Sequence, residues 1–224
     1  MDRDGTGRTF FSMEENNNLR TYLRYNCIVF RKTKEQYGGL SNMASGFPIC
    51  INGISIRTAE ALYQACRFPN LPEIQEKIIS EKSPMTAKMK GKPYRDRTRS
   101  DWNHTRVKIM KWCLRAKLAQ NWEKFGELLL STGDLPIVEE SKKDSFWGAK
   151  PTEEGTLVGV NALGRLLMEL REEFTKAQNW DYYIVKPLEI ENFVLLNKPI
   201  ETITKEIDGT NRKPSNDSTQ MTLF

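Results

Sequence analysis

The hydrophobic pattern changes its period several times along the chain. Tyr25–Lys32 ("YNCIVFRK") and the segment "LPIVEES" alternate closely enough to predict strands. The segment "FPICINGISIRT" predicts a β-hairpin, because Asn52-Gly53 is a favoured two-residue turn between apolar runs. Between the first strand and the hairpin, "QYGGLSNM" contains two adjacent glycines, which interrupt regular structure and let the backbone approach a ligand closely.

Three short segments carry helix start signals. Thr58 can cap "AEALYQACRF", and Pro72 stands near the first turn of "NLPEIQEKIISEK". Ser83-Pro84 opens a further short helix in "SPMTAKMKGK". The chain between the hairpin and position 100 is therefore predicted to be mainly helical.

Longer helical patterns follow in the second half of the chain. Asn121 can cap "WEKFGELLLSTG", which Gly133 ends, and Asn161 can cap "ALGRLLMELREEF". Between these two helices, "DSFWGAKPTEEGTLVG" is predicted to be a long loop. The segment "SDWNHTRVKIMKWCLRAKLAQN" is the best amphipathic helix. The positions at helical spacing are Val107, Met110, Leu114 and Leu118 in that helix, and Leu163, Leu166, Leu167 and Leu170 in the last one.

Composition restricts the possible chemistry. The chain has 224 residues and a net charge of +5, which suits a phosphate-bearing ligand or nucleic acid and equally suits ordinary solvated lysines. No stretch approaches the ~20 apolar residues of a membrane helix, and the N-terminus lacks a signal-peptide pattern, so a cytoplasmic protein is predicted. The single histidine, His104, excludes a metal site built on several imidazoles. Acid–base chemistry is then expected from carboxylates or lysine.

The four cysteines have no CxxC spacing. Zinc sites and disulfide frameworks favour tighter patterns. The four cysteines are therefore interpreted as reduced, mostly buried thiols; they are Cys27, Cys50, Cys66 and Cys113.

One face of the helix that begins after Thr58 carries candidate chemistry. Glu60, Gln64 and Arg67 lie at i, i+4 and i+7 and share that face. On most helices such a face is simply solvated. Here Glu60 directly follows the capping position, where the helix N-terminus stabilises a carboxylate. The short helix also lies between a glycine loop and the core, so this face is predicted to line a cleft.

Two further segments carry candidate residues. Lys88 can hold a phosphate or serve as an amine nucleophile, or it is an ordinary surface lysine. The loop "VEESKKDSFWGAK" contains Asp144 and the pair Trp147-Gly148. A tryptophan in a polar loop is suited to stacking on a base or nicotinamide ring, or it anchors the loop to the core.

An ordered set of segments resembles a known family. The chain is similar to the NADAR (NAD and ADP-ribose) family, also called YbiA-like, over roughly Tyr25 to Phe174. Where the family often has a Glu-His pair, this chain has Glu60-Ala61, so that histidine is not essential here. The segments are "GGLSNM", "TAEALYQACRF", "SPMTAKMKGKP", "DWNHTRVKIMKWCLRAKLAQN", "LLLSTGDLPIVEESKKDSFWG" and "GVNALGRLLMELR".

The resemblance implies a compact, mainly helical α+β fold with a few short strands, without metal; no other cofactor is expected. It places a NADAR catalytic domain at 25–174, preceded by an N-terminal extension (1–24). Residues 175–206 form a C-terminal extension that adds strands or a small subdomain. Residues 207–224 form a flexible polar tail ending in "QMTLF".

The resemblance also implies hydrolysis of an N-glycosidic bond between a phosphorylated ribose and a base or amine. In one route, Glu60 or Asp144 stabilises positive charge at C1 or activates water, and the other carboxyl group protonates the leaving nitrogen. In a second route, Lys88 forms a Schiff base with the ring-opened C1 aldehyde. Both routes stay open at this point. The residues expected to contact the ligand are Gly38, Gly39, Ser41, Asn42, Gln64, Arg67, Trp147 and Gly148.

The leading functional hypothesis is removal of ADP-ribose from guanine bases in DNA, in the manner of an antitoxin or a repair enzyme. The terminal "QMTLF" resembles peptides that dock bacterial proteins on the sliding clamp, with Gln220 as a polar anchor and Leu223 and Phe224 in an apolar pocket. Alternatives are an N-glycosidase acting on ribosylaminopyrimidine phosphates of the riboflavin pathway, and a non-catalytic module that binds ADP-ribose or NAD.

Overall fold

The structure, a computed structural model, describes residues 18–176 and 183–204. The predicted clamp-binding peptide and most of the N-terminal extension lie outside these residues. The helices are α1 (Ala59–Ala65), α2 (Pro72–Ile79), α3 (Pro84–Lys90), α4 (Trp102–Gln120), α5 (Glu127–Leu130) and α6 (Ala162–Lys176), with 3-10 turns at Arg24–Asn26, Gly38–Leu40 and Lys92–Arg97 and a π turn at Trp122–Gly126.

Short strands form several small sheets around the helices, which confirms the α+β class. The strands are β1 (Arg20–Leu23), β2 (Ile28–Phe30), β3 (Ile49–Ile51), β4 (Ile54–Ile56), β5 (Ile137–Glu139), β6 (Lys150–Pro151), β7 (Thr156–Gly159), β8 (Ile184–Val185), β9 (Val194–Leu195), β10 (Lys198–Pro199) and β11 (Ile203–Thr204). β7 lies between β1 and β6 in an antiparallel sheet, while β2 and β5 pair in parallel; β3–β4, β9–β10 and β8–β11 form antiparallel pairs.

The local signals at the hairpin and at the first helices are confirmed. Asn52 and Gly53 have φ of 51° and 79°, as the predicted two-residue turn requires. The Thr58 hydroxyl accepts a hydrogen bond from the amide of Ala61 at 3.2 Å and so caps α1. The Ser83 hydroxyl caps α3 in the same way.

The two asparagine caps were predicted wrongly. Asn121 lies between α4 and the π turn, but its side chain does not cap the turn, because its amide donates to the carbonyls of Pro48 and Lys117 at 2.9 and 3.0 Å. The Asn161 side chain donates to Ile137 O at 2.8 Å and accepts from the Glu139 amide at 3.1 Å. Both side chains donate to backbone carbonyls distant in the sequence, which a local pattern does not reveal.

Two other segments differ from prediction. The supposed loop at 144–159 contains β6 and β7, which pair with each other and with β1. Helix α4 is buried around most of its circumference, because α1 packs on one side and the segment 183–204 packs on the other. The indole of Trp112 illustrates the second contact, since it donates to Lys186 O at 2.9 Å.

The C-terminal segment forms the predicted strands, but it joins the main core and not a separate subdomain. Phe193, Leu195, Ile200 and Ile203 belong to the same buried cluster as the helices.

Cysteine exposure varies along the chain: Cys66 and Cys113 are buried, Cys27 is half-buried and Cys50 is exposed, and all are free thiols. Within the described ranges, no helix is both long and apolar enough to cross a bilayer.

Candidate active site

Glu60 is a buried carboxylate at the start of α1, with 3% of its surface exposed. Its Oε2 accepts from the amide of Asn42 at 2.5 Å, and its Oε1 accepts from the amide of Gln64 at 3.0 Å. Burial raises the pKa of Glu60, although the Lys88 ammonium and the two amides oppose this shift. The predicted face of α1 is therefore a polar interior site and not a solvated surface.

Lys88 covers this carboxylate from α3. Its Nζ lies 3.9 Å from Glu60 Oε1, and its side chain is 49% exposed whereas that of Glu60 is 4% exposed. Both Glu60 oxygens are engaged by protein groups. Lys88 is therefore the member of the pair that reaches solvent.

The glycine loop is held against α1 by a buried lysine. Lys117 of α4 donates from Nζ to Gly39 O at 2.7 Å and to Ser41 O at 3.1 Å. The next residue, Asn42, accepts from the backbone amide of Glu60 at 2.9 Å, which fixes the Asn42 side chain on the carboxylate. Burial lowers the pKa of Lys117 well below its usual value. Lys117 was not among the predicted site residues, because its only signal in the sequence is a lysine among apolar positions of α4.

The loop's small residues have internal roles. The Ser41 amide donates to Gly38 O at 3.1 Å, and its hydroxyl accepts from the Met43 amide. A Cβ on Gly39 would lie 2.5 Å from a methyl group of Leu128, so this glycine allows close packing. Ligand contact by Gly39 and Ser41 stays a prediction.

A second group of carboxylates lies near the pair. Asp144 Oδ1 accepts from the amides of Phe146 and Trp147, both at 2.9 Å, and so fixes the turn that carries the indole. Glu139, the last residue of β5, has its pKa raised to about 7 by burial and by the nearby carboxylates Asp144 and Glu60. Glu139 was not among the predicted site residues, because β5 and α1 are distant in the sequence.

Aromatic rings line the next layer. The Trp147 ring meets the Tyr63 ring edge-on at 5.6 Å, and Tyr63 lies 5.0 Å from Trp102. The Arg67 guanidinium lies 5.2 Å from the Trp102 ring and donates from Nε to the Thr98 hydroxyl at 2.8 Å. Trp147 is half-buried, so it both packs on the core and keeps part of its surface accessible.

Gly148 permits a close approach between two backbone segments. A Cβ at this position would lie 2.5 Å from Glu139 O. Its own carbonyl accepts from the Asn161 amide at 3.1 Å. The glycine after the predicted stacking tryptophan thus holds the loop against β5, beside the carboxylates.

Replacing Glu139 with Gln is expected to stabilise the protein at pH 8 and to flatten its pH dependence. In the folded state the pKa of the Glu139 carboxyl group is raised to about 7, whereas that of an ordinary glutamate is 4.5. Stability from this group is therefore present below pH 4.5 and is lost as pH rises to 7. The variant should gain about 1–3 kcal/mol at pH 8 and little at pH 4.5. Urea unfolding at the two pH values measures this; equal pH dependence in both proteins would contradict it.

Within residues 18–176 and 183–204, no group of three or more His, Cys, Asp or Glu side chains is arranged to hold a metal ion. A buried carboxylate beside a half-exposed lysine, with a second carboxyl group of raised pKa, is the arrangement of an enzyme site for acid–base or imine chemistry.

The family model of the NADAR domain matches residues 29–175 of this chain. The chain therefore belongs to the NADAR family, as the resemblance predicted.

Individual relatives agree with this assignment. The N-glycosidase YbiA of Escherichia coli strain K12 is 36% identical over 146 residues, 65% of this chain and 87% of that protein. An N-glycosidase of Nostoc punctiforme is 34% identical over 65% of this chain and 91% of its own. A riboflavin biosynthesis protein of Vibrio vulnificus is 34% identical over 69% of this chain and 40% of its own.

The fold is also similar to a solved structure. The NMR structure of Escherichia coli YbiA has a TM-score of 0.56 and 32% identity, and covers 71% of this chain and 93% of its own. The family match and the names of these relatives together support an N-glycosidase activity.

Proposed function

We propose that the chain is a metal-independent N-glycosidase that removes ADP-ribose from guanine bases in DNA. The observation that carries this proposal is the Lys88–Glu60 pair, in a chain whose relatives are named N-glycosidases. The net charge of +5 supports an anionic substrate. The predicted clamp-docking tail supports DNA as the carrier of the modified base.

The geometry favours the Schiff-base route over direct attack by a carboxylate. Glu60 is covered and both of its oxygens accept hydrogen bonds, whereas Lys88 reaches solvent. An amine nucleophile must first lose a proton, and Glu60 lies 3.9 Å away with a raised pKa, which makes it a better base than an exposed glutamate.

The reaction balances as a hydrolysis. Ring opening moves the proton of the glycosidic N–H to the ring oxygen and leaves C1 doubly bonded to the base nitrogen. Lys88 Nζ passes one proton to Glu60 and adds to C1, while the base nitrogen takes a proton. Nζ loses a second proton, and the base nitrogen gains one, as the bond from C1 to that nitrogen breaks, so the base leaves as a neutral amine and Lys88 holds a protonated imine. Glu139 is suited to supply a proton to the leaving nitrogen, because its pKa of about 7 keeps it partly protonated at neutral pH. Water then hydrolyses the imine, which releases the sugar as an aldehyde and restores the lysine.

A second candidate function is hydrolysis of a ribosylaminopyrimidine phosphate. The observation that favours it is the riboflavin biosynthesis protein of Vibrio vulnificus, to which this chain is 34% identical. Both substrates present a C1–N bond to the same lysine. They differ in what lies beyond the ribose.

A comparison of two substrates tests the proposal. The protein is incubated with an oligonucleotide bearing ADP-ribosylated guanine and, separately, with a ribosylaminopyrimidine phosphate, and released sugar is measured by chromatography. We expect release from the oligonucleotide, at a rate at least about tenfold higher than from the small molecule, because remote contacts raise kcat/KM. Release from the small molecule alone would contradict the proposal. Tight ADP-ribose binding without release from either would indicate a binding module.

A further inference from the structure

We propose that the exposed basic segment 82–97, termed the basic strip, binds the sugar–phosphate backbone of a single-stranded DNA next to Lys88. This inference deepens the proposed function, because it takes Lys88 as the reacting group. It concerns how the strand is held and not the chemistry at C1.

Charge is concentrated in this strip. Its six cations are all exposed; they are Lys82, Lys88, Lys90, Lys92, Arg95 and Arg97. With the neighbouring acids Glu81 and Asp96 included, the net charge of residues 81–97 is +4, against +5 for the whole chain. Such a concentration of exposed positive charge in one segment is the electrostatic footprint of a polyanion site.

Most of these cations are available to a ligand. Lys90 pairs with Glu81 at 3.0 Å, and Lys88 faces Glu60. In the part of the chain that the structure describes, no carboxylate lies within salt-bridge distance of Lys82, Lys92, Arg95 or Arg97. Binding to phosphates would therefore not require existing ion pairs to break.

The strip is connected to the candidate active site at two points. Lys88 belongs to both, and α3 packs directly against α1 and the 3-10 turn Lys92–Arg97. That turn is kinked at Tyr94, and Lys92 and Arg95, on either side of the kink, are both exposed. The Arg95 charge also acts on Arg67, a predicted ligand contact, and helps to lower its pKa after burial. A strand along the strip would thus pass both Lys88 and Arg67.

Exposed apolar surface accompanies the cations. Met85 and Met89 are 58% and 49% exposed, and both lie on α3 within four residues of Lys88. Methionine adapts its shape to irregular apolar partners, which suits an unstacked base. A base inside a duplex cannot reach an enzyme's reacting groups without leaving the stack. These features favour a single strand.

Another basic surface exists but is less suited to the substrate. A groove of about 660 Å³ is lined by Lys108, Lys111, Arg115 and Lys186. Two of these cations are already paired, Lys111 with Glu169 and Glu173, and Arg115 with Glu173. The α4 members of this groove lie on the side of the helix opposite Met110, whose sulfur contacts Asn42 in the candidate site.

The test measures binding of an unmodified, fluorescein-labelled single-stranded DNA by anisotropy at several salt concentrations. The variant Lys92→Glu/Arg95→Glu is compared with Lys108→Glu/Lys186→Glu, which makes the same charge change in the groove. The first variant should bind roughly tenfold or more weakly, and its plot of log affinity against log salt should be shallower by about 1.4, or 0.7 for each phosphate that the protein no longer neutralises. The groove variant should bind within a factor of about two of the parent chain.

The opposite pattern, with binding abolished in the groove variant and kept in the strip variant, would overturn the inference. Equal binding of duplex and single strand would overturn the choice of a single strand. Thermal melting of both variants checks that they are folded. The probe carries no ADP-ribose, so the result is independent of hydrolysis. A chain that binds through the strip but releases nothing from a modified strand would keep this inference and contradict the proposed hydrolase.

Discussion

Glu60→Gln is expected to slow release of ADP-ribose from the modified oligonucleotide by about 10²–10⁴-fold. The amide cannot take the proton that Lys88 must lose, although it occupies nearly the same volume between Asn42 and Gln64. The decrease should appear in kcat, because the substrate's phosphates and bases bind elsewhere. Single-turnover release under saturating enzyme measures the step directly.

The chain offers a matched control for this variant. Glu140 is another buried glutamate, with its side chain 8% exposed, but it pairs with Arg24 at 2.6 Å and Arg31 at 3.7 Å, outside the candidate site. Glu140→Gln should lower stability and leave the single-turnover rate within a factor of about three. An equal decrease of rate in the two variants would show that any buried glutamate matters and would remove the specific role of Glu60.

Lys88→Arg is expected to reduce the same rate by at least about 10³-fold. Arginine keeps a positive charge beside Glu60, so a purely electrostatic role for Lys88 would survive the change. A guanidinium does not become a neutral amine nucleophile at neutral pH. The size of the decrease therefore distinguishes the Schiff-base route from direct attack by a carboxylate or by water.

Lys77→Arg, on the exposed side of α2, is the control for the lysine substitution. It should retain the parent rate within a factor of about two, as expected for an exposed surface position. If Lys88→Arg also retained most of the rate, the imine route would be abandoned. Glu60 and Asp144 would then be the groups to test next.

The features that could be predicted from the sequence are local ones. The turn at Asn52-Gly53 and the caps at Thr58 and Ser83 depend on residues within three positions of each other, so their signals survive in the fold. The caps at Asn121 and Asn161 were wrong because each side chain donates to a carbonyl outside its own helix. Whether an asparagine side chain caps its own helix or bonds to another backbone group cannot be judged without knowing those distant partners.

In the candidate site, too, local features could be predicted and features that depend on distant segments could not. The spacing of Glu60 and Gln64 correctly places them together, since i and i+4 always meet on a helix. The burial of Glu60 is not visible in that spacing, because it depends on the loop at Asn42 and on Lys88 from another helix. Lys117 and Glu139 were missed for this reason. Each acts through segments far apart in the sequence.

Chemical trapping tests whether Lys88 forms a covalent imine with C1 of the ribose while Glu60 takes its proton. The parent chain is reacted with ADP-ribosylated oligonucleotide in the presence of cyanoborohydride and then examined by intact-mass and peptide analysis. We expect a stable sugar adduct on Lys88, absent in Lys88→Arg and strongly reduced in Glu60→Gln. Continued turnover with an unmodified Lys88 under these conditions would contradict it.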